Sequence, residues 1–165
     1  KEIVDNAEES AKKQLSNLKI AGAKEIDSEG QKIVIVTVPY KQIPAYRNVS
    51  TILVPELEKK LNNSMVFIVG KRRAFPKTPV RGRRYVAIRP TGRTLRAVNE
   101  NLLDDLVFPT SIVGKRVHYN AQQKQTTYVY LDPNDRTRVE ERLHGFSIAY
   151  ERLTGLKTVF EVSNH

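Results

Sequence analysis

Twelve Lys and Arg residues fall between Lys59 and Asn99, and no Asp or Glu stands among them. They are Lys59, Lys60, Lys71, Arg72, Arg73, Lys77, Arg81, Arg83, Arg84, Arg89, Arg93 and Arg96. This window carries +12 in a chain whose net charge is +10, so the other residues, 16 basic and 18 acidic, sum to −2. An ordinary solvated surface mixes both signs, whereas a run of one sign repels itself and calls for counter-charge from outside. The chemistry on offer is polyanion recognition. Arg outnumbers Lys eight to four in the window, and the planar guanidinium fork suits bidentate phosphate contacts and stacking on bases better than an ammonium group does. Pro76, Pro79, Gly82, Pro90 and Gly92 break helices, which excludes the amphipathic helix that a lipid surface would favour. Nucleic acid is the partner these residue types select. Contact with about 8 phosphates predicts an affinity that falls roughly 10³- to 10⁵-fold between 50 and 200 mM salt. Tyr85 can stack on an unpaired base, or it can belong to a strand over 85–88 that packs on the protein.

Catalytic chemistry finds less support. Val69-Gly70-Lys71-Arg72 lacks the Gly-rich turn and Lys-Ser/Thr pair of a nucleotide loop, and the same four residues recur as Val113-Gly114-Lys115-Arg116, which suits two basic contacts. His118, His144 and His165 lack the pairing of a metal motif. Asp104-Asp105 and Glu140-Glu141 are neighbours on helices and diverge, so both pairs read as solvated faces. Asp104 and Asp105 sit near a helix C-terminus, where negative charge is unfavourable, and a basic partner nearby is expected. With no cysteine in the chain, disulfides, thiolate zinc sites and a cysteine nucleophile are excluded. The sequons at Asn48 and Asn62 read as chance matches. No apolar run approaches the roughly 20 residues of a membrane span, and the first residues resemble neither a signal nor a transit peptide.

The elements that must position the basic window follow from hydrophobic period and turn chemistry. A helix is expected over 4–18, with Ala7, Ala11, Leu15 and Leu18 on one face. A hairpin over 20–27 and 31–38 turns at Ser28-Glu29-Gly30. A helix over 43–62 buries Val49, Ile52, Leu53, Leu57 and Leu61 and is kinked or divided at Pro55; a strand over 65–69 closes this half. The order then recurs: a helix over 94–107 with Leu95, Val98, Leu102, Leu103 and Leu106, stopped by Pro109; a hairpin over 115–120 and 125–132; a helix capped by Asn134 or Asp135, with Val139, Leu143, Phe146, Tyr150 and Leu153 inward and Gly155 at its end; and a strand over 158–162. Pro39 and Pro133 are 94 apart, and Phe67 and Phe160 are 93 apart, so the two halves share one register.

Three blocks of residues also carry a resemblance. Arg93-Thr94-Leu95-Arg96-Ala97-Val98, Leu103-Asp104-Asp105-Leu106-Val107-Phe108-Pro109 and Ile112-Val113-Gly114-Lys115-Arg116 resemble the central block of the eukaryotic type of small-subunit ribosomal protein seven. Pro55-Glu56-Leu57-Glu58-Lys59-Lys60, Val66-Phe67-Ile68 and Lys71-Arg72-Arg73 resemble its first half. Phe146, Tyr150, Leu153-Thr154-Gly155 and Val159-Phe160-Glu161 resemble its C-terminal helix and strand. The resemblance implies a cytoplasmic ribosomal location with a nucleolar assembly stage, contact with small-subunit ribosomal RNA near an expansion segment, neighbouring ribosomal proteins as partners, and no catalysis. The family's linker is often richer in Lys and lacks apolar residues, whereas Tyr85-Val86-Ala87-Ile88 interrupts it here.

The reading is therefore an α/β (α+β) protein, with two similar halves and a mixed sheet or two strand layers covered by helices. Residues 1–70 form the first half, 71–93 a basic crossing and 94–165 the second half, as one integrated unit. The expected RNA-binding residues are Lys71, Arg72, Arg73, Lys77, Arg81, Arg83, Arg84, Tyr85, Arg89, Arg93 and Arg96, with Lys115 and Arg116 as a second contact. No catalytic residue, metal, cofactor, small-molecule substrate or membrane partner is expected. The other readings are an RNA-processing enzyme and a regulator that binds an acidic protein.

Overall fold

Every position from Ile33 to Val38 is apolar or β-branched, so a strand made from this run has two faces to bury. The computed structural model, which describes residues 17–28, 30–62, 64–76, 89–122 and 124–163, places it at the centre of a three-stranded sheet. Strand β1 (Gly22–Ser28) pairs antiparallel with β2 (Gln31–Pro39), which pairs in parallel with β3 (Met65–Lys71). Gly30 takes φ +82° in the tight turn between β1 and β2, a conformation that a side chain would oppose. Helix α1 (Ile43–Lys60) makes the crossover from β2 to β3.

The second half repeats this plan. After α2 (Leu95–Val107), β4 (Ile112–Tyr119) pairs antiparallel with β5 (Gln125–Leu131), and β5 pairs in parallel with β6 (Lys157–Val162). The crossover here is broken: a 3-10 turn at Pro133–Asp135, one helical turn α3 (Arg136–Val139), a second 3-10 turn at Glu140–Arg142, then α4 (Leu143–Thr154). Gly155 closes α4 with φ +73°, and its N–H donates to the Glu151 carbonyl at 2.7 Å. The described strands thus form two separate mixed sheets, which decides between the one-sheet and two-layer alternatives.

Alternation assigns each sheet face a partner. Val36, Val38 and Val66 pack with Tyr46, Leu53, Val54 and Leu57 of α1. On the opposite face Ile33, Ile35, Phe67 and Val69 join Leu103, Leu106 and Val107 of α2, Phe146, Ala149 and Tyr150 of α4, and Val129, Leu131 and Phe160 of the second sheet. The described layers therefore run α1, first sheet, α2 with α4, second sheet. Phe146 sits between the sheets, with its ring centroid 5.1 Å from Phe67 and 5.6 Å from Phe160 in tilted geometry. Such offset pairs add about 0.5–1.5 kcal/mol beyond their area.

Several expectations need correction. Phe67 and Phe160 both meet α4, but Phe67 faces away from its own crossover helix while Phe160 faces its own. They are not topological equivalents: by face, Val36 matches Val129 and Ile68 matches Phe160, 93 and 92 residues apart. Of the two outcomes expected at Pro55, division does not occur: the helix runs unbroken through it. Pro55 and Thr51, whose carbonyl it leaves without the usual donor, are both exposed, so water can satisfy the group. Ile52, Leu61 and Leu95 are 51%, 38% and 62% exposed: Ile52 is off the stripe formed by Tyr46, Val49, Leu53 and Leu57, Leu61 lies past the helix end, and Leu95 is in a first turn that projects beyond the core. Asp135 does stand at the N-cap position of α3, but its side chain makes no cap hydrogen bond; the capping side chain is that of Asp132, which opens the preceding 3-10 turn and accepts from the Asn134 N–H at 2.9 Å. The helix expected over 4–18, apart from its last two residues, and the strand over 85–88 lie outside the described residues.

Candidate nucleic-acid interface

The basic crossing leaves β3 at Lys71 and returns into α2. Its two described limbs are pinned together: the Phe75 N–H donates to the Arg93 carbonyl at 2.9 Å, and the Arg93 guanidinium lies 5.2 Å from the centroid of the Phe75 ring. The returning limb is set by a 3-10 turn at Thr91–Arg93 and by Thr94, whose hydroxyl accepts from the Ala97 N–H at 3.2 Å and caps α2. The described limbs on either side of 77–88 therefore meet at one neck. Lys77, Arg81, Arg83, Arg84 and Tyr85 lie outside the described residues.

Beneath the neck, Asp105 of α2 holds β3 and the outgoing limb. Its side chain is 2% exposed. One carboxylate oxygen accepts from the Gly70 N–H at 3.1 Å and from the Arg72 guanidinium, and the other accepts from Arg47 of α1 at 3.2 Å. In a parallel pair the N–H groups of alternate residues point away from the neighbouring strand. Gly70 is one of these, and Val66 is another, bonded to Glu58 of α1 at 3.2 Å. Glu58 in turn pairs with Arg142. Two carboxylates, each paired with arginine, thus take up the Val66 and Gly70 amides on the outer edge of β3, an edge that would otherwise invite strand addition. A Cβ at position 70 would stand 2.2 Å from Ile43 Cδ1 and 2.9 Å from Arg72 Nη1, so the ends of both side chains would have to shift to admit one.

The same geometry corrects the solvated reading of Asp105: Asp104 is exposed as expected, but Asp105 is buried, and the basic partners foreseen for it are Arg47 and Arg72. Periodicity does not mark Asp105, Arg47 or Glu58 as structural. The available signal was an acid inside the apolar series Leu102, Leu103, Leu106 near a helix end.

The remaining basic residues divide by environment. Lys71, Arg73, Arg93 and Arg96 are exposed, with Arg96 88% so and 3.2 Å from Glu100. Arg72 is turned inward at 16% exposure. Arg89 is half-buried, and its Nε has no hydrogen-bond partner among the described residues. On β4, Lys115 meets Glu100 at 3.0 Å and Arg116 is exposed. Lys115, followed by Arg96, holds the Glu100 carboxyl below its ordinary range. Lys115 is therefore tied through Glu100 to Arg96, which joins the expected second contact to the crossing.

Among the described residues the arrangement offers cations around the neck and no convergent acids. His118 and His144 are exposed, as are Glu140 and Glu141. Among the described residues no group of three His, Cys, Asp or Glu could hold a metal ion, and no described helix is long and apolar enough to cross a membrane. Gly70, whose N–H is committed to Asp105, cannot cradle a phosphate.

Comparison with known proteins adds the family. The model for "Ribosomal protein S7e" matches residues 2–162. The chain is 43% identical over 92% of its length to "Small ribosomal subunit protein eS7" of Candida albicans, spanning 81% of that protein. It is 41% identical over 91% of its length to the protein of the same name from Anopheles gambiae, spanning 79% of it. It is 39% identical over 96% of its length to "Small ribosomal subunit protein eS7z" of Arabidopsis thaliana, spanning 82% of it.

Proposed function

Since the chain belongs to the ribosomal protein S7e family, we propose that it grips ribosomal RNA of the small subunit through the clamped basic crossing. As a member of that family it is a structural constituent of the eukaryotic small ribosomal subunit on cytoplasmic ribosomes, and not an enzyme. Residues 71–93 are the gripping segment between an α/β half at 1–70 and another at 94–165. The observation that carries the reading is a window of +12 with no acid in it, closed at its base by the Phe75–Arg93 contacts. Closing the loop before RNA arrives lowers the ordering cost of binding. Lys71, Arg73, Lys77, Arg81, Arg83, Arg84, Arg89, Arg93 and Arg96 meet phosphates, with Tyr85 on a base and Lys115 and Arg116 as a second contact. Arg72 serves the site by fixing the outgoing limb to Asp105. The RNA lies near an expansion segment, neighbouring small-subunit proteins cover other surfaces, and the protein joins the subunit at a nucleolar assembly stage.

Reversing Arg81, Arg83 and Arg84 to Glu tests this. Binding to small-subunit ribosomal RNA should weaken and the slope of log affinity against log salt should fall by about 3, with circular dichroism unchanged. Unaltered binding by a folded triple variant overturns the assignment. Arg73→Ala should lower that slope by about 1, whereas Arg72→Ala should lower stability and leave the slope in place. Competition by generic RNA but not by an acidic peptide separates this function from binding of an acidic protein.

A further inference from the structure

The described helices that cover the second sheet lie on one face of it. Thr127, Val129, Leu131, Thr158 and Phe160 are buried, and Val129, Leu131 and Phe160 pack on α4 and α2. The intervening residues point to the other face. Strand register arranges them as three rows across β4, β5 and β6: Gly114, Tyr130 and Glu161; Arg116, Tyr128 and Val159; His118, Thr126 and Lys157. Arg116, His118, Lys157 and Glu161 are exposed, and Tyr128, Tyr130, Thr126 and Val159 are half-buried.

Two tyrosines therefore stand two residues apart on the middle strand, roughly 6.6 Å along it, with cations on both flanking strands. Tyr130 is supported from one side: its Cδ2 lies 3.7 Å from where a Cβ on Gly114 would be, so the ring leans over the glycine of the next strand. A ring held in this way costs little to order when a planar group settles on it. Arg116 lies directly across from Tyr128, within reach of a phosphate beside a base on that ring, and its guanidinium can also stack.

We propose that this face of the second sheet is a stacking platform for unpaired nucleotides of RNA, with Tyr128 and Tyr130 under the bases and Arg116 and Lys157 on the phosphates. Every base presents a π-face, so such a site takes single strands with little sequence preference. A regular A-form helix keeps its bases stacked on one another and offers none to the rings. Glu161, in the row of Tyr130, repels phosphate and directs the strand toward the corner held by Arg116, His118 and Lys157. The proposal rests on the RNA-binding reading above and adds the class of RNA: a loop or bulge here, separate from the phosphate grip at the crossing.

The test uses the full chain and two probes, a 12-nucleotide oligouridylate and a blunt 12-base-pair RNA duplex. Tyr128→Thr with Tyr130→Thr puts another strand former at each position and removes both rings. It should weaken oligouridylate binding by at least about fivefold and change duplex binding by less than about twofold. Tyr128→Phe with Tyr130→Phe keeps the rings and should bind as the parent does. Photocrosslinking of 4-thiouridine oligomers to the unmodified chain should map to Tyr128 or Tyr130, which decides the matter even where the threonine pair loses stability. Unchanged oligouridylate binding by the folded threonine pair, equal losses on both probes, or crosslinks confined to other segments would overturn it. Failure of the crossing is distinguishable, because the Arg81, Arg83 and Arg84 reversal acts on both probes alike. Were that reversal silent, the phosphate grip would fall while the tyrosine result still decided the platform.

Discussion

Removing the Asp105 carboxylate by Asp105→Ala should be among the costliest changes of a charged residue in the described chain. Three donors lose their acceptor together: the Gly70 N–H at 3.1 Å, the Arg47 guanidinium at 3.2 Å and the Arg72 guanidinium. Arg47 is 42% exposed and can turn to water, so its share is below about 1 kcal/mol. Arg72 is 16% exposed and keeps a charge without a counter-ion, and the Gly70 amide is buried. An unsatisfied buried amide costs about 1–3 kcal/mol, and breaking a buried pair by deleting one partner costs about 3–5 kcal/mol. The contributions overlap, and a total near 3–5 kcal/mol is expected. For a chain of this length that corresponds to a fall in Tm of roughly 6–20 °C. Urea titration should show a lower midpoint at an unchanged slope. Asp104→Ala, one residue away and exposed, should stay within about 0.5 kcal/mol of the parent. Replacing both partners by apolar residues, Asp105→Leu with Arg72→Met, should recover much of the loss, since the uncompensated charge is gone. The reasoning is refuted if Asp105→Ala costs no more than Asp104→Ala, or if the double replacement is as unstable as the single one.

Two further outcomes follow from the packing and the surface charge. Phe146→Ala opens a cavity between Phe67 and Phe160 and should cost about 3–5 kcal/mol in chemical denaturation, while Phe146→Leu, which keeps more of the volume, should cost less. Glu100 is held below its ordinary value of 4.5 by Lys115 and Arg96, so its stabilisation is complete above that pH and is lost as pH falls through the lower folded value. Because the carboxylate is 42% exposed, the effect is under about 1 kcal/mol. It should vanish in Glu100→Gln and shrink with added salt, as read from thermal midpoints across the acid range.

Local patterns made most of the architecture legible. Continuous apolar runs such as Ile33 to Val38 implied a strand with two faces to bury, the prolines at 39 and 109 stood at element ends, and Gly155 closed its helix in a left-handed conformation. These features depend on neighbours within a few residues, and so does the self-repulsion of twelve cations without an acid among them. What periodicity could not supply was which charge turns inward. Arg72 and Arg73 are adjacent and chemically alike, yet Arg72 is turned inward against Asp105 and Arg73 is exposed. That difference depends on Asp105, Arg47 and the glycine at 70 converging from α2, α1 and β3. The tertiary structure likewise turned one face of the second sheet toward α2 and α4 and left Tyr128, Tyr130 and Arg116 on the other. Chain order determines which residues alternate, but only the packing of distant elements selects the face that loses water.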